Sequence, residues 1–212
     1  TRFRTSNSFG SADDVLVLSN HPEEYLAAFV QSGAYAQAPM VKWAAAHEGA
    51  CSWRLIGEVV ASGQLTPAQK RVLELNERYG VRAGYSISFR DVSGRAKGAI
   101  GLCARPGMRQ HEVDAVWQEH GRDITVINNL THLRITAMPF ASSRRALTPR
   151  QREALEWVGD GKTTQDIATI MGLTPATVEK HLRLAREALD VDTTAQAVLK
   201  ASFQNQIFVL PG

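Results

Sequence analysis

Along the last third of the chain, apolar positions recur at helical spacing in three short bursts, each opened by a threonine and two of them closed by a glycine. Thr148 is a side-chain acceptor able to cap free backbone N–H groups, Pro149 suits the first helical position, and Gln151 completes a capping box. That helix buries Leu155 and Val158 with Trp157 beside them, and stops at Gly161, where a residue with positive φ is wanted. Thr163 opens the second burst, with Asp166 in the first turn where the helix dipole favours an acid. Ile167, Ile170 and Met171 then share one stripe, Ala168 permits a close crossing, Gly172 ends the helix and Leu173 plugs the corner. Thr174-Pro175 starts the third, whose inner stripe is Val178, Leu182, Ala185 and Leu189.

Upstream the patterns alternate between periods. Residues 1–5 and 15–19 read as strands joined by a Ser/Asn/Gly-rich turn. A helix follows Pro22, with Tyr25, Leu26, Phe29 and Val30 as its buried stripe and Gly33 beyond its end. Residues 40–46 look helical, and Leu65-Thr-Pro-Ala-Gln69 opens another helix closed by Gly80. Tyr85, Ile87 and Phe89 alternate with Ser86 and Ser88, the period of a strand; after a turn at 91–94, residues 97–104 return as a second strand, so the sheet is at least partly antiparallel. Residues 110 to about 134 form one long helix with Val113, Val116, His120, Ile124 and Ile127 on one side, Gly121 being a point where it can bend. The expected class is α+β: an α/β/α sandwich over 1–138, a linker at 139–146, and an all-α four-helix unit over 147–212.

The outward face of the third helix has chemistry suited to a nucleic acid. In a helix-turn-helix the first residues of the second helix meet base edges. Arg183 can fork onto a guanine and Glu179 can accept from a cytosine amino group. Lys162, Thr163, Thr164 and Lys180 suit phosphate, which fixes register without reading sequence. Thr174, Ala176, Thr177 and Arg186 complete the candidate set. The competing reading is a small helical bundle whose charged face is merely solvated.

Leu147-Thr148, Leu155, Trp157, Gly161-Lys162-Thr163, Ile167-Ala168, Thr177-Val178 and His181-Leu182 resemble the C-terminal DNA-binding domain of LuxR-type regulators, without a gap. Two positions depart from that family: Gln151 stands where it usually has Glu, and Thr194 where it often has Arg. The resemblance implies double-stranded DNA as partner and a homodimer, with dimer contacts on the long helix and on the last one, about 194–203.

Charge adds little to this picture. Among 212 residues the formal net charge is +3, and from Arg144 onward 9 Lys+Arg face 8 Asp+Glu, so motif and placement carry the case rather than a basic field. Two cysteines, Cys51 and Cys103, cannot build a disulfide framework, and thiols of this kind are mostly buried and inert. With no signal peptide and no apolar run long enough for a bilayer, a cytoplasmic protein is expected, with no membrane partner and no cofactor. The start at Thr1, straight into strand-like residues, suggests a preceding segment.

The first two-thirds also resembles the signal-binding domain of the same family. Tyr25, Phe29, Ala38-Pro39 and Trp53 keep the intervals at which it sets Trp, Tyr, Asp-Pro and Trp around an acyl-homoserine lactone. With Tyr35 and Val41 these are the candidate ligand residues; the bland alternative for the aromatics is ordinary core. What the resemblance implies is altered by substitution. Tyr25 still offers a hydroxyl to a lactone carbonyl, but Phe29 has none for the amide carbonyl, and Ala38 cannot accept from the amide N–H. Each lost bond to a buried amide costs about 1–3 kcal/mol, and two weaken binding by on the order of 30-fold or more. A standard acyl-homoserine lactone is therefore a poor fit, leaving another small-molecule signal or a filled, ligand-independent core.

Enzymatic patterns find no support. His47-Glu48 and His111-Glu112 lack a second His at zinc-protease spacing, Gly94, Gly98 and Gly101 make no dinucleotide or phosphate loop, and no serine sits in a nucleophile elbow. A response regulator needs acids after a first parallel strand in a βα repeat; Asp13-Asp14 precede theirs, and the 85–103 hairpin breaks the alternation. An antagonist acting only by dimerisation would show a damaged recognition helix, and none is evident.

Overall fold

The computed structural model describes residues 2–3, 17–90, 97–138 and 146–208, and the chain divides into two compact units, Thr1–Arg134 and Ile135–Gly212. Asp13-Asp14, the turn at 91–94 and nearly all of the expected linker, 139–145, lie outside the described residues.

In the first unit the described elements run β1 (Arg2–Phe3), α1 (Glu23–Leu26), α2 (Pro39–Ala46), β2 (Gly49–Ser52), α3 (Arg54–Ala61), α4 (Pro67–Arg78), β3 (Gly84–Ser88), β4 (Lys97–Cys103) and α5 (Gln110–Ala137). α1 continues as a π-helical turn over Ala27–Gln31, and a 3-10 turn spans Ala34–Gln37. Gly33 separates them at φ +76°, a conformation that disfavours any residue with a β-carbon. α4 starts with the expected capping box, Thr66 and Gln69 each satisfying the other's backbone N–H.

The strands order β1-β4-β3-β2 and every pairing is antiparallel. The expected strand at 15–19 is not present in its described part, since 17–20 have no regular structure; the third strand that does pair with β3 is β2. Gly49-Ala-Cys-Ser52 has no branched or aromatic residue to announce a strand, and its register on β3 supplies what propensity lacks.

Because side chains alternate along a strand, the pairings sort the sheet into two unlike faces. Ala50, Ser52, Tyr85, Ile87, Ile100 and Leu102 share the first, and α5 covers it: Tyr85 stacks on Trp117 at 3.9 Å and Phe89, just past β3, on His132 at 4.0 Å. The second face holds the buried Lys97 at the start of β4 and otherwise Gly49, Cys51, Gly84, Ser86, Ser88, Ala99, Gly101 and Cys103, none of these larger than a cysteine. Toward it point α2, whose Ala44 carbonyl accepts from the Ser88 hydroxyl at 2.8 Å, and Trp53, whose indole donates to the Ser86 hydroxyl at 2.9 Å. Helices thus flank both sides of the sheet, the expected α/β/α arrangement.

The stripe expected on the long helix needs correction. α5 turns Gln110, Asp114, Trp117, Gly121 and His132 inward, while Val116, His120 and Ile127 are exposed, and Val113 and Ile124 are half-buried. Gly121 is buried, and a β-carbon there would strike the Trp117 indole at 2.6 Å. Val116, Val126, Ile127, Leu130 and Leu133 lie between 44% and 61% exposed, so the most apolar side of the helix faces away from the sheet. Periodicity finds the apolar side of a helix but not what covers it.

The second unit packs α6 (Pro149–Gly159), α7 (Thr164–Met171), α8 (Pro175–Leu189) and α9 (Thr194–Phe203) around one core. Leu155, Ile167, Val178, Leu189 and Ile207 are essentially sealed within it, with Ala154, Ala168, Ala185, Ala197 and Ala201 allowing close crossings. Threonine caps open all four helices, three of them as full capping boxes, and Gly161 and Gly172 take positive φ where sequence grammar wants it. Ile170, expected in the α7 stripe, is 46% exposed; Ala168 takes its place against the core.

Candidate functional site

α7 and α8 form a helix-turn-helix, and the outward side of α8 carries the candidate DNA residues. Lys162, Thr163, Thr174, Ala176, Glu179, Lys180 and Arg183 are exposed, and Thr164, Thr177 and Arg186 are half-buried. Behind them Val178, Leu182, Ala185 and Leu189 are all buried, which fixes the helix axially and in rotation. The Thr164 hydroxyl donates to Glu179 at 2.8 Å, tying the start of α7 to the first turn of α8. Thr163 and Thr174 spend their hydroxyl oxygens on capping, which leaves their surroundings ordered. Arg183 pairs with Glu187 on the surface, an interaction of about 0–1 kcal/mol that a phosphate or guanine can outcompete. Arg186 differs: its guanidinium donates to Thr194 at 2.8 Å, so it braces α9 with part of its donor set.

In the first unit the candidate ligand residues form two groups. Tyr25 stacks on Phe29 at 5.2 Å, meets Tyr79, just past α4, at 5.4 Å and His21 at 4.8 Å, and donates its hydroxyl to Asn76 at 2.9 Å. Burial pushes that hydroxyl up to about 12, the nearby Cys103 sulfur adding to it, so it stays protonated and its single proton is committed to Asn76. Ala38 is buried just before α2, while Tyr35, on the 3-10 turn, and Val41, in α2, are half-buried.

Trp53 belongs to the second group. Its six-membered ring lies over Gly84 and Gly101: a β-carbon at Gly84 would be 3.0 Å from that ring, and one at Gly101 3.6 Å. Sequence reasoning missed this seat, as it did Asn76, Tyr79 and Asp114. The signal was present in Ser86 and Ser88, which alternate with Tyr85 and Ile87; both are buried, and a strand buried on both faces with only small residues on one is leaving room for something laid against it. Cys51 and Cys103 lie on the same small-residue face, and burial raises both thiols above the ordinary range.

A polar knot closes the edge of the sheet beside Trp53. Asp114, buried in the first turns of α5, accepts from the Ser52 hydroxyl at 2.7 Å, the Gln110 amide at 2.9 Å and the Arg54 guanidinium. Burial alone would raise its carboxyl; these donors, with the influence of the Tyr85 hydroxyl, outweigh it and hold the group at about 2. Since the folded value is depressed, the stabilisation is fully present above the unfolded value near 4 and is lost as pH falls through about 2. Acid titration of the first unit should show this loss between about pH 4 and 2, and Asp114→Asn should remove that part of the slope.

Comparison with known proteins comes at two levels. A family model described as the autoinducer binding domain matches residues 3–135, and one described as sigma-70 region 4 matches residues 145–189. The transcriptional activator protein AnoR of Acinetobacter nosocomialis is 29% identical over 138 residues, 64% of this chain and 57% of that protein. The HTH-type quorum sensing-dependent transcriptional regulator RpaR of Rhodopseudomonas palustris is 31% identical over 135 residues, 64% and 53% respectively. The chain thus spans little more than half the length of these two relatives. The transcriptional activator protein LuxR of Aliivibrio fischeri is 22% identical across 89% of this chain and 73% of its own length. A crystal structure of Escherichia coli SdiA has a TM-score of 0.44 at 18% identity, covering 92% of this chain and 77% of that one.

Proposed function

The chain belongs to the autoinducer-binding family of LuxR-type quorum-sensing regulators, and from that premise we propose that it is a sequence-specific, DNA-binding transcriptional regulator with a sensor domain over 1–138 and a DNA-binding domain over 147–212. The observation that carries this reading is α8, buried along Val178, Leu182, Ala185 and Leu189 with Lys180 and Arg183 exposed on its outer side. Arg183 and Glu179 read base edges; Lys162, Thr163, Thr164 and Lys180 hold phosphates; Thr174, Ala176, Thr177 and Arg186 complete the contact surface. A homodimer in the cytoplasm sets two such helices about one DNA turn apart, roughly 34 Å. A signal acts by preferring one spacing of the two domains over another. Arg183→Ala should cost about 1–3 kcal/mol, roughly 5–150-fold in affinity, and relax the preference at one operator position. Gel-shift titration against operator and scrambled duplex checks it, and an unchanged preference rejects the base-reading role.

For the sensor, we read Tyr25, Phe29, Tyr35, Ala38, Val41 and Trp53 as lining a site that has departed from acyl-homoserine lactone recognition. Two features support this. The Tyr25 hydroxyl is spent on Asn76, and its ring packs against Phe29 and Tyr79. Thermal melts should show little shift with long-chain acyl-homoserine lactones, whereas Phe29→Tyr with Ala38→Asp should create one; no response from that double variant favours a ligand-independent core. Mass analysis of small molecules carried through purification identifies any other signal.

A further inference from the structure

Trp53 is the large residue laid across the small-residue face, and both of its chain neighbours are held by one carboxylate on the opposite side of the sheet. The Ser52 hydroxyl donates to Oδ1 of Asp114, and the Arg54 guanidinium to Oδ2. Beneath the indole, the Gly84 carbonyl accepts from the Trp53 backbone N–H at 3.0 Å. That same glycine is gripped by Gln110, which accepts from its N–H at 2.9 Å and donates to its carbonyl at 3.1 Å. The two hydrogens of the Gln110 amide are shared between the Gly84 carbonyl and the oxygens of Asp114 and Ser52, each of the latter at 2.9 Å. The residue before Trp53, the residue after it and the glycine below it are therefore all tied to two side chains one turn apart on α5. The indole N–H is fixed independently by Ser86, so its ring has a seat, and the knot sets the direction of entry.

We propose that Asp114 is a positioning residue for Trp53: it fixes the tilt of the indole over Gly84 and Gly101, and so couples the long helix to the signal site. The functional half of this statement rests on the reading of Trp53 as a ligand-lining residue; the mechanical half does not. Any displacement of the first turns of α5 moves Ser52, Arg54 and Gly84 together, because they share its two side chains. A ligand that lifted Trp53 would pull on the same carboxylate. Asp114 touches no ligand itself and acts only through the backbone on either side of the indole.

The test is fluorine NMR of the full chain labelled with 5-fluorotryptophan, with no ligand added. The four tryptophans give four resonances, and Trp53→Phe assigns the relevant one. Asp114→Asn, which keeps the shape but loses the charge, should shift or broaden the Trp53 resonance while leaving those of Trp43 and Trp157 in place. A folded variant with the Trp53 resonance unmoved overturns the proposal, since a purely structural carboxylate would lower the melting temperature without reorienting one indole. If Asp114→Asn does not fold, Arg54→Gln decides in the same way: it cuts one arm of the clamp from a side chain 65% exposed. Because the signal is read on unliganded protein, failure here is distinct from failure of the ligand reading, which the mass analysis decides.

Discussion

Leu155→Ala unfolds the C-terminal unit at temperatures where the rest of the chain stays folded. Leu155 is fully buried in the core shared by α6, α8 and α9, and deleting such a side chain costs about 2–5 kcal/mol once the cavity is included. A unit of this size has little more than that to spare. Its alanine-lined crossings leave the backbones close and unable to collapse further into the void. Trp157 packs against the same core, so its fluorescence reports this transition. Denaturant titration should show the Trp157 transition moved to low denaturant, with operator retention lost and the melt of the first unit unchanged. A variant that still holds operator at wild-type affinity contradicts the account of how α8 is kept in place.

The second large effect is expected on assembly. Ile127→Asp with Leu130→Asp puts two carboxylates on the outer stripe of α5, where both residues are exposed in the single chain, so folding is spared. If that stripe closes on a second copy, a two-fold interface would bury four unpaired charges, each costing several kcal/mol. Sedimentation at micromolar concentration should show the monomer mass for the variant and the dimer mass for the parent. Operator affinity should fall with it, because a single recognition helix forfeits half of the contacts. A dimer that survives both aspartates places the interface elsewhere.

How much of this could be read beforehand depended on whether the signal was local. Helix caps are written in four consecutive residues, so Thr148, Thr163 and Thr174 and the glycines that follow were legible, as was the buried edge of α8. The hairpin of β3 and β4 was legible from its alternation. β2 was not, because Gly49-Ala-Cys-Ser52 becomes a strand only by pairing with β3. α5 misled for a related reason: its sheet-facing side is built from Gln110, Asp114, Trp117 and His132, which stack and hydrogen-bond rather than simply avoid water. The ligand candidates came from the resemblance of their intervals to the family's signal-binding domain, which could not reveal that the Tyr25 hydroxyl is spent on Asn76, 51 residues away in sequence.

The two glycines under Trp53 are unequal, and that inequality gives the packing beneath the indole a direction of change. A methyl at Gly84 would collide with the Leu102 carbonyl oxygen at 2.1 Å as well as with the indole, so that floor tile is fixed. A methyl at Gly101 would rest against the indole at 3.6 Å, an ordinary touching distance. Substitution beneath the indole can therefore proceed one carbon at a time from the β4 side, with the ring acting as a gauge whose height is set on β3 and whose clearance is adjusted on its neighbour.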